Sequence, residues 1–166
     1  IYPTNWMYTP INLYDVSISI VYLVIYPSVF YLVSVSAMRI VLFCEQKYAI
    51  NILTPIQEEA LKSGGHDILW YVHSRNIPDF PLKDRVKWTD SIQKIYDYSP
   101  EAIFVPCNIV PYYLPGVKIQ IFHGYAAEKK DHWVIRRYFD TYFTQGPFFT
   151  EGFSALAKKY KDFEVV

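Results

Sequence analysis

RIVLFC (39–44), EQK (45–47), YAINILTPIQEEALK (48–62), SGG (63–65) and DILWYV (67–72) make up the stretch that decides the fold. RIVLFC is short, apolar and rich in β-branched residues, the form of a parallel strand buried on both faces. Glu45-Gln46-Lys47 is a polar turn. Beyond it Ile52, Ile56 and Ala60 recur at helical spacing, flanked by Ile50, Leu53 and Leu61. Pro55 falls inside this run and predicts a kink or a delayed start. Ser63-Gly64-Gly65 is a helix stop, and DILWYV is a second strand. Strand, helix and strand in this order form a βαβ unit, whose two strands run parallel.

The same alternation continues downstream. Residues 73–85 read as a loop carrying prolines and charges, and 86–88 as a short third strand. Thr89 is placed as the cap of a helix reaching about Tyr98. AIFV (102–105) is a fourth strand, and CNIVPYYLPG (107–116) a connector broken by Pro111 and Pro115. KIQIF (118–122) is a fifth strand ending at His123-Gly124. Residues 125–137 are polar and carry a loop or short helix. A sixth strand over 141–144 leads to Gly146-Pro147, which opens a helix over about 148–159. Residues 163–166 begin another strand. The expectation is an α/β fold: a Rossmann-like parallel sheet with helices on both faces, joined by right-handed crossovers.

Upstream the composition changes. Residues 1–37 contain one charged residue, Asp15, and 16–37 contain none over 22 residues. That is long enough to cross a bilayer as a helix, which needs about 20 apolar residues, and Arg39 and Lys47 follow on one side. Against a spanning helix stand Pro27 in the middle, many Ser, Tyr and β-branched residues, and Met38 opening MRIVLF. Three readings stay open for 1–37: a membrane anchor, an upstream extension outside the working protein, or apolar strands packed on the domain.

The chain has 166 residues, with 16 Lys+Arg against 16 Asp+Glu. Zero net charge argues against a dedicated nucleic-acid binder, which carries a basic excess. A hydrophobic content of 52% with 19% charged residues excludes a mainly disordered chain. Two cysteines, Cys44 and Cys107, exclude a disulfide framework and fit a reducing compartment. They have no CxxC partner or His at metal spacing and read as small core residues, so neither a metal nor a cofactor is expected. GxGxxG, P-loop, GxSxG and HExxH motifs do not occur.

Ligands of open α/β sheets bind beyond the carboxyl ends of the strands. Glu45-Gln46-Lys47, His123-Gly124 and Gln145-Gly146-Pro147 fall there. His123 suits a base near neutral pH, although a His ending a strand is often structural. Gly124 permits close approach of a substrate or of backbone. Lys129, Lys130, Arg136 and Arg137 suit phosphate oxygens, or form a solvated surface balanced by Glu128, Asp131 and Asp140. His66, His73 and His132 read as surface residues. Tyr112-Tyr113 suits stacking on a sugar or base, with packing inside the loop as the plainer reading.

MRIVLFCEQKYAINILTPIQEEALKSGGHDILWYV (38–72), PEAIFVPCN (100–108), VKIQIFHG (117–124) and FDTYFTQGPFFTEGF (139–153) together resemble the N-terminal half of the CDP-glycerol glycerophosphotransferases, the polymerases and primases of teichoic-acid-type polymers. The resemblance runs in order through about 38–166 and leaves out 1–37. It implies the acceptor-side half of a GT-B architecture, two Rossmann-like domains facing one cleft, with 38–166 truncated before the donor domain. It also implies that His123 is the base that deprotonates an acceptor hydroxyl. Gly124, Lys129, Lys130, Gln46, Lys47, Gln145 and Gly146 would be the substrate-binding residues. The family commonly follows His-Gly with Thr-Pro-Leu-Lys. Here Tyr125-Ala126-Ala127 replaces the middle, and Lys129 or Lys130 stands for the lysine, which marks a divergent branch. The implied partners are a CDP-glycerol-type donor, bound by the absent C-terminal domain, and a lipid-linked or polysaccharide acceptor. The implied place is the cytoplasmic face of the plasma membrane, by peripheral association, and no nucleic acid is expected. The isolated chain is expected to be inactive. A nucleotide-sugar GT-B enzyme (a glycosyltransferase or a UDP-sugar 2-epimerase-like protein) and a non-catalytic remnant or binding module are the alternatives.

Overall fold

The computed structural model describes residues 37–122, 124 and 130–166. The expectations placed on residues 1–36, His123, residues 125–128 and Lys129 lie outside the described residues. Among the described residues no helix is long and apolar enough to cross a membrane.

Seven strands form one open, all-parallel sheet: β1 (Arg39–Cys44), β2 (Asp67–Val72), β3 (Trp88–Thr89), β4 (Ala102–Val105), β5 (Val117–Ile121), β6 (Thr141–Phe143) and β7 (Glu164–Val165). Their order is β3-β2-β1-β4-β5-β6-β7. The expected α/β Rossmann-like fold is therefore present. β1 is the hinge of the topology, pairing with β2 through Arg39↔Asp67 to Cys44↔Val72 and with β4 through Ile40↔Ala102 to Leu42↔Phe104. The chain winds from β1 toward β3, then crosses β1 and winds the other way toward β7.

Alternation along β1 creates two cores. Ile40, Leu42 and Cys44 face α1 (Ala49–Ser63) through Ala49, Ile50 and Leu53, with Trp70, Val72, Ile77 and Phe80 alongside. Val41 and Phe43 face the opposite side, with Ile95 of α2 (Ile92–Tyr98) and Phe149 and Phe153 of α3 (Pro147–Tyr160). Helices thus cover both faces. Connections after β1 and β2 lie on one face and those after β3 and β6 on the other. A single crossover handedness requires this when the winding direction reverses.

Local chemistry sets the element ends, with two departures from the sequence reading. Helix α1 runs through Pro55 without interruption, and the neighbouring Thr54 Oγ1 donates to the Ile50 carbonyl at 2.7 Å. The Gln57 side chain reaches the Trp70 indole N–H, which ties this helix to β2. Gly64 ends α1 at φ +98°, as the Gly-Gly pair predicts. Thr89 belongs to β3, and the cap of α2 is Ser91, whose Oγ accepts from Lys94 N–H. Thr89 Oγ1 instead accepts from Ser91 N–H at 3.1 Å. Two serine or threonine hydroxyls lie within reach of this helix start, and the backbone selects the later one.

Candidate functional site

The strand order reverses between β1 and β4, and ligands of open α/β sheets seat beyond the carboxyl ends at such a point. Two groups of residues stand on that edge. At the end of β1, Gln46 and Lys47 are exposed and Glu45 is half-buried. At the ends of β5 and β6, Gln145 Nε2 donates to the Gly124 carbonyl at 2.9 Å, and Gly146 follows at φ +133°, capping α3 with Pro147 in its first turn. The Gln145 Oε1 is buried without a hydrogen-bond partner. Neighbouring strands lie about 4.8 Å apart, so β1 and β5, with β4 between them, stand about 10 Å from each other across the edge. Gln46 and Lys47 therefore lie to one side of the end of β4 and Gly124, Gln145 and Gly146 to the other, rather than meeting in one cluster.

Phe122 and Trp133 share one aromatic seat on α3. Phe122, next to His123 in sequence, packs on Phe149 and Phe153 with ring centroids 5.8 and 5.3 Å away. Trp133, last residue of the 3-10 turn Lys130–Trp133, stacks on the same Phe149 and Phe153, each at 5.3 Å. Gly152 makes room for that ring: a Cβ built there would lie 2.4 Å from Trp133 Cζ3. Lys130 is exposed on the 3-10 turn. Arg137 is engaged away from the edge, its Nε 2.9 Å from Asp162 Oδ2, and Asp140 bonds the Lys118 N–H at 2.7 Å.

The end of β1 holds residues the sequence reading passed over. His73, expected on the surface, is half-buried directly after β2, and its Nδ1 is buried with no hydrogen-bond partner. Its N–H donates to the Cys44 carbonyl at 3.1 Å, while Asn76 Nδ2 donates to the Glu45 carbonyl at 2.9 Å. The turn after β2 is thereby seated on the end of β1. Burial raises the Glu45 carboxyl above its usual range, and His73 nearby opposes that shift. The strand-end rule that selects His123 also selects His73. His66 is half-exposed, and its Nδ1 accepts from Met38 N–H at 3.2 Å.

Both cysteines are free thiols. Cys44 is fully buried, as expected of a core residue. Burial, and to a smaller degree Cys107, pushes its thiol up to about 12. Cys107 is only partly buried, and its Sγ lies 3.5 Å from the Tyr48 hydroxyl. Burial raises the Cys107 thiol as well. Both are protonated at neutral pH, which disfavours a thiolate nucleophile. Beside Cys107, Asn108 Oδ1 accepts from Gln120 Nε2 at 2.5 Å. Gln120 is one of two buried polar or charged residues among those described, and this bond fixes the connector after β4 to β5.

No family model, curated protein or solved structure matches the chain.

Proposed function

We propose that this domain is the acceptor-side half of a GT-B-type transferase. It would move glycerol phosphate, or a related group, from a CDP-activated donor to an acceptor hydroxyl in cell-surface polymer synthesis. The resemblance of 38–166 to the glycerophosphotransferases is the basis of this reading. The observation that supports it most is the Gln145-to-Gly124 hydrogen bond. It ties the turn after β6 to the glycine of the His-Gly pair on the ligand edge of the sheet. Preorganisation of this kind is what positioning a nucleophile requires.

In this reading His123 takes the proton of the acceptor hydroxyl. The acceptor oxygen attacks the phosphorus bearing glycerol, and the bond to the CMP oxygen breaks in line. The donor would be held by a second domain across the cleft. Gln46, Lys47, Lys129 and Lys130 would steady phosphate oxygens. The proposed setting is the inner face of the plasma membrane, where lipid-linked acceptors lie, by peripheral contact.

The test is transfer from radiolabelled CDP-glycerol by the full-length protein, with CMP release followed in parallel. His123→Ala is expected to abolish both while the circular dichroism spectrum is retained. Unchanged turnover in that variant removes the base assignment. Turnover of UDP-sugars in place of CDP-glycerol transfers the reading to a nucleotide-sugar enzyme. Absence of turnover with every donor leaves a binding module.

A further inference from the structure

The connector between β4 and β5 displays aromatic side chains rather than burying them. Pro111 to Leu114 closes a turn, Leu114 N–H donating to the Pro111 carbonyl at 3.2 Å. Val110 and Leu114, on either side of the turn's centre, are each only 2% exposed and anchor it in the core. The central positions are Tyr112 and Tyr113, exposed by 73% and 55%. Turn centres ordinarily carry small or polar residues, and two large rings presented to solvent at a pinned turn mark a contact surface. The rings meet edge to face, centroids 5.7 Å apart at 84°, and so form a corner. Packing inside the loop, the plainer sequence reading, is not their role.

Tyr113 also lines a cleft of about 390 Å³ with Ile92, Gln93 and Tyr96 of α2. None of the four lining residues carries a charge. Ile92 and the two tyrosine rings supply apolar faces, while the tyrosine hydroxyls and the Gln93 amide supply polar tips. Gln93 Nε2 is already committed to Asp97 Oδ1 at 2.8 Å, which leaves its carbonyl oxygen to accept. The start of α2 and the start of the connector both spring from the carboxyl ends of their strands. The cleft thus lies between α2 and the connector that follows β4.

We propose that Tyr96 and Tyr113, with Tyr112 edge-on beside Tyr113, form a binding cleft for a neutral, hydroxyl-rich chain, a saccharide or polyol. C–H faces of such a ligand would lie on the rings and its hydroxyls on the tyrosine and Gln93 oxygens. The uncharged lining selects against a phosphate-rich or nucleotide ligand. The assignment of this chain as a transferase acceptor rests on the function proposed above; the cleft and its ligand class rest on the groove itself.

The test uses the full chain with maltohexaose, cellohexaose and chitohexaose as probes, in saturation-transfer NMR and calorimetry, with no donor present. At least one hexaose is expected to bind. Tyr113→Ala should weaken it by about tenfold or more, as loss of a stacked ring implies, and Tyr113→Phe should retain most of the affinity. Thermal unfolding of Tyr113→Ala serves as the folding control. Absence of binding to all three probes overturns the proposal, as does wild-type affinity in Tyr113→Ala, or binding only to lipid vesicles or a protein partner. Hexaose binding together with absence of CDP-glycerol turnover by the full-length protein upholds the cleft and rejects the transferase reading. Turnover without hexaose binding does the reverse.

Discussion

Replacing Gly152 by alanine tests the packing that seats Trp133 on α3. Gly152 lies inside α3, where alanine is favoured over glycine by about 1 kcal/mol on helix propensity alone. Its Cβ would nevertheless stand 2.4 Å and 2.7 Å from two Trp133 ring atoms. Ordinary carbon contact is near 3.5 Å, so the ring must move by about 1 Å. It cannot slide freely, because it lies within 7° of parallel on Phe149 and also stacks on Phe153. Overpacking of this kind costs about 1–3 kcal/mol. A central steric cost of about 2 kcal/mol, less the propensity gain, gives a net loss of about 1 kcal/mol. The sharper readout is the double-mutant cycle with Trp133→Leu, measured by urea unfolding of the 166-residue chain. Once the indole is gone, Gly152→Ala should become stabilising by up to about 1 kcal/mol. The coupling energy is then about 2 kcal/mol. A coupling below about 0.5 kcal/mol, the scatter expected of independent sites, would refute the account of how Trp133 is seated.

Gly116→Ala should cost about 3 kcal/mol or more, since φ is +86° and the new Cβ meets the Pro100 carbonyl oxygen at 2.3 Å, backbone against backbone; an unfolding free energy lowered by less than about 1 kcal/mol contradicts the geometry. Cys44 holds its proton up to about 12 in the fold against 9.0 ordinarily. Its contribution to stability is therefore complete below pH 9 and lost as pH rises toward 12. Cys44→Ala should flatten the alkaline fall of the urea midpoint, and an unchanged slope sinks the idea. With a thiol-labelling reagent at pH 8, native Cys107 should react before Cys44, because only Cys107 has surface exposed; simultaneous labelling would show that Cys44 is not buried.

The fold was legible because its signals are local. RIVLFC and DILWYV occur as strands with the bounds read from their β-branched runs, and Gly64 ends α1 where Gly-Gly predicts. Pro55 was misjudged because the rule against proline counts one lost bond, whereas α1 is held along its length by Leu53, Ile50 and the Gln57–Trp70 contact. Thr89 was misjudged because propensity does not say which of two neighbouring hydroxyls meets the helix start. The site was legible only as a set of strand ends. Gln145 touching Gly124 and Tyr48 touching Cys107 join residues 21 and 59 positions apart, which no local pattern encodes. His73 needed only the strand-end rule applied a second time. Tyr112 and Tyr113 show the reverse case: the pair was visible, but its exposure depends on the Val110 and Leu114 anchors.

The position of β1 also bears on how the chain is made. One edge of β1 is satisfied early by β2, which is complete by Val72. The other edge waits for β4, whose Ala102 pairs with Ile40 only after 62 further residues have been added, the separation that also links Arg39 to Glu101. At synthesis rates of about 5–20 residues per second, that edge stays open for roughly 3–12 s. Throughout this interval Ile40, Val41 and Leu42 form an apolar template that any passing strand can extend. Translation of the stretch that carries β3 and α2 is thus the interval in which this edge is open to mispairing.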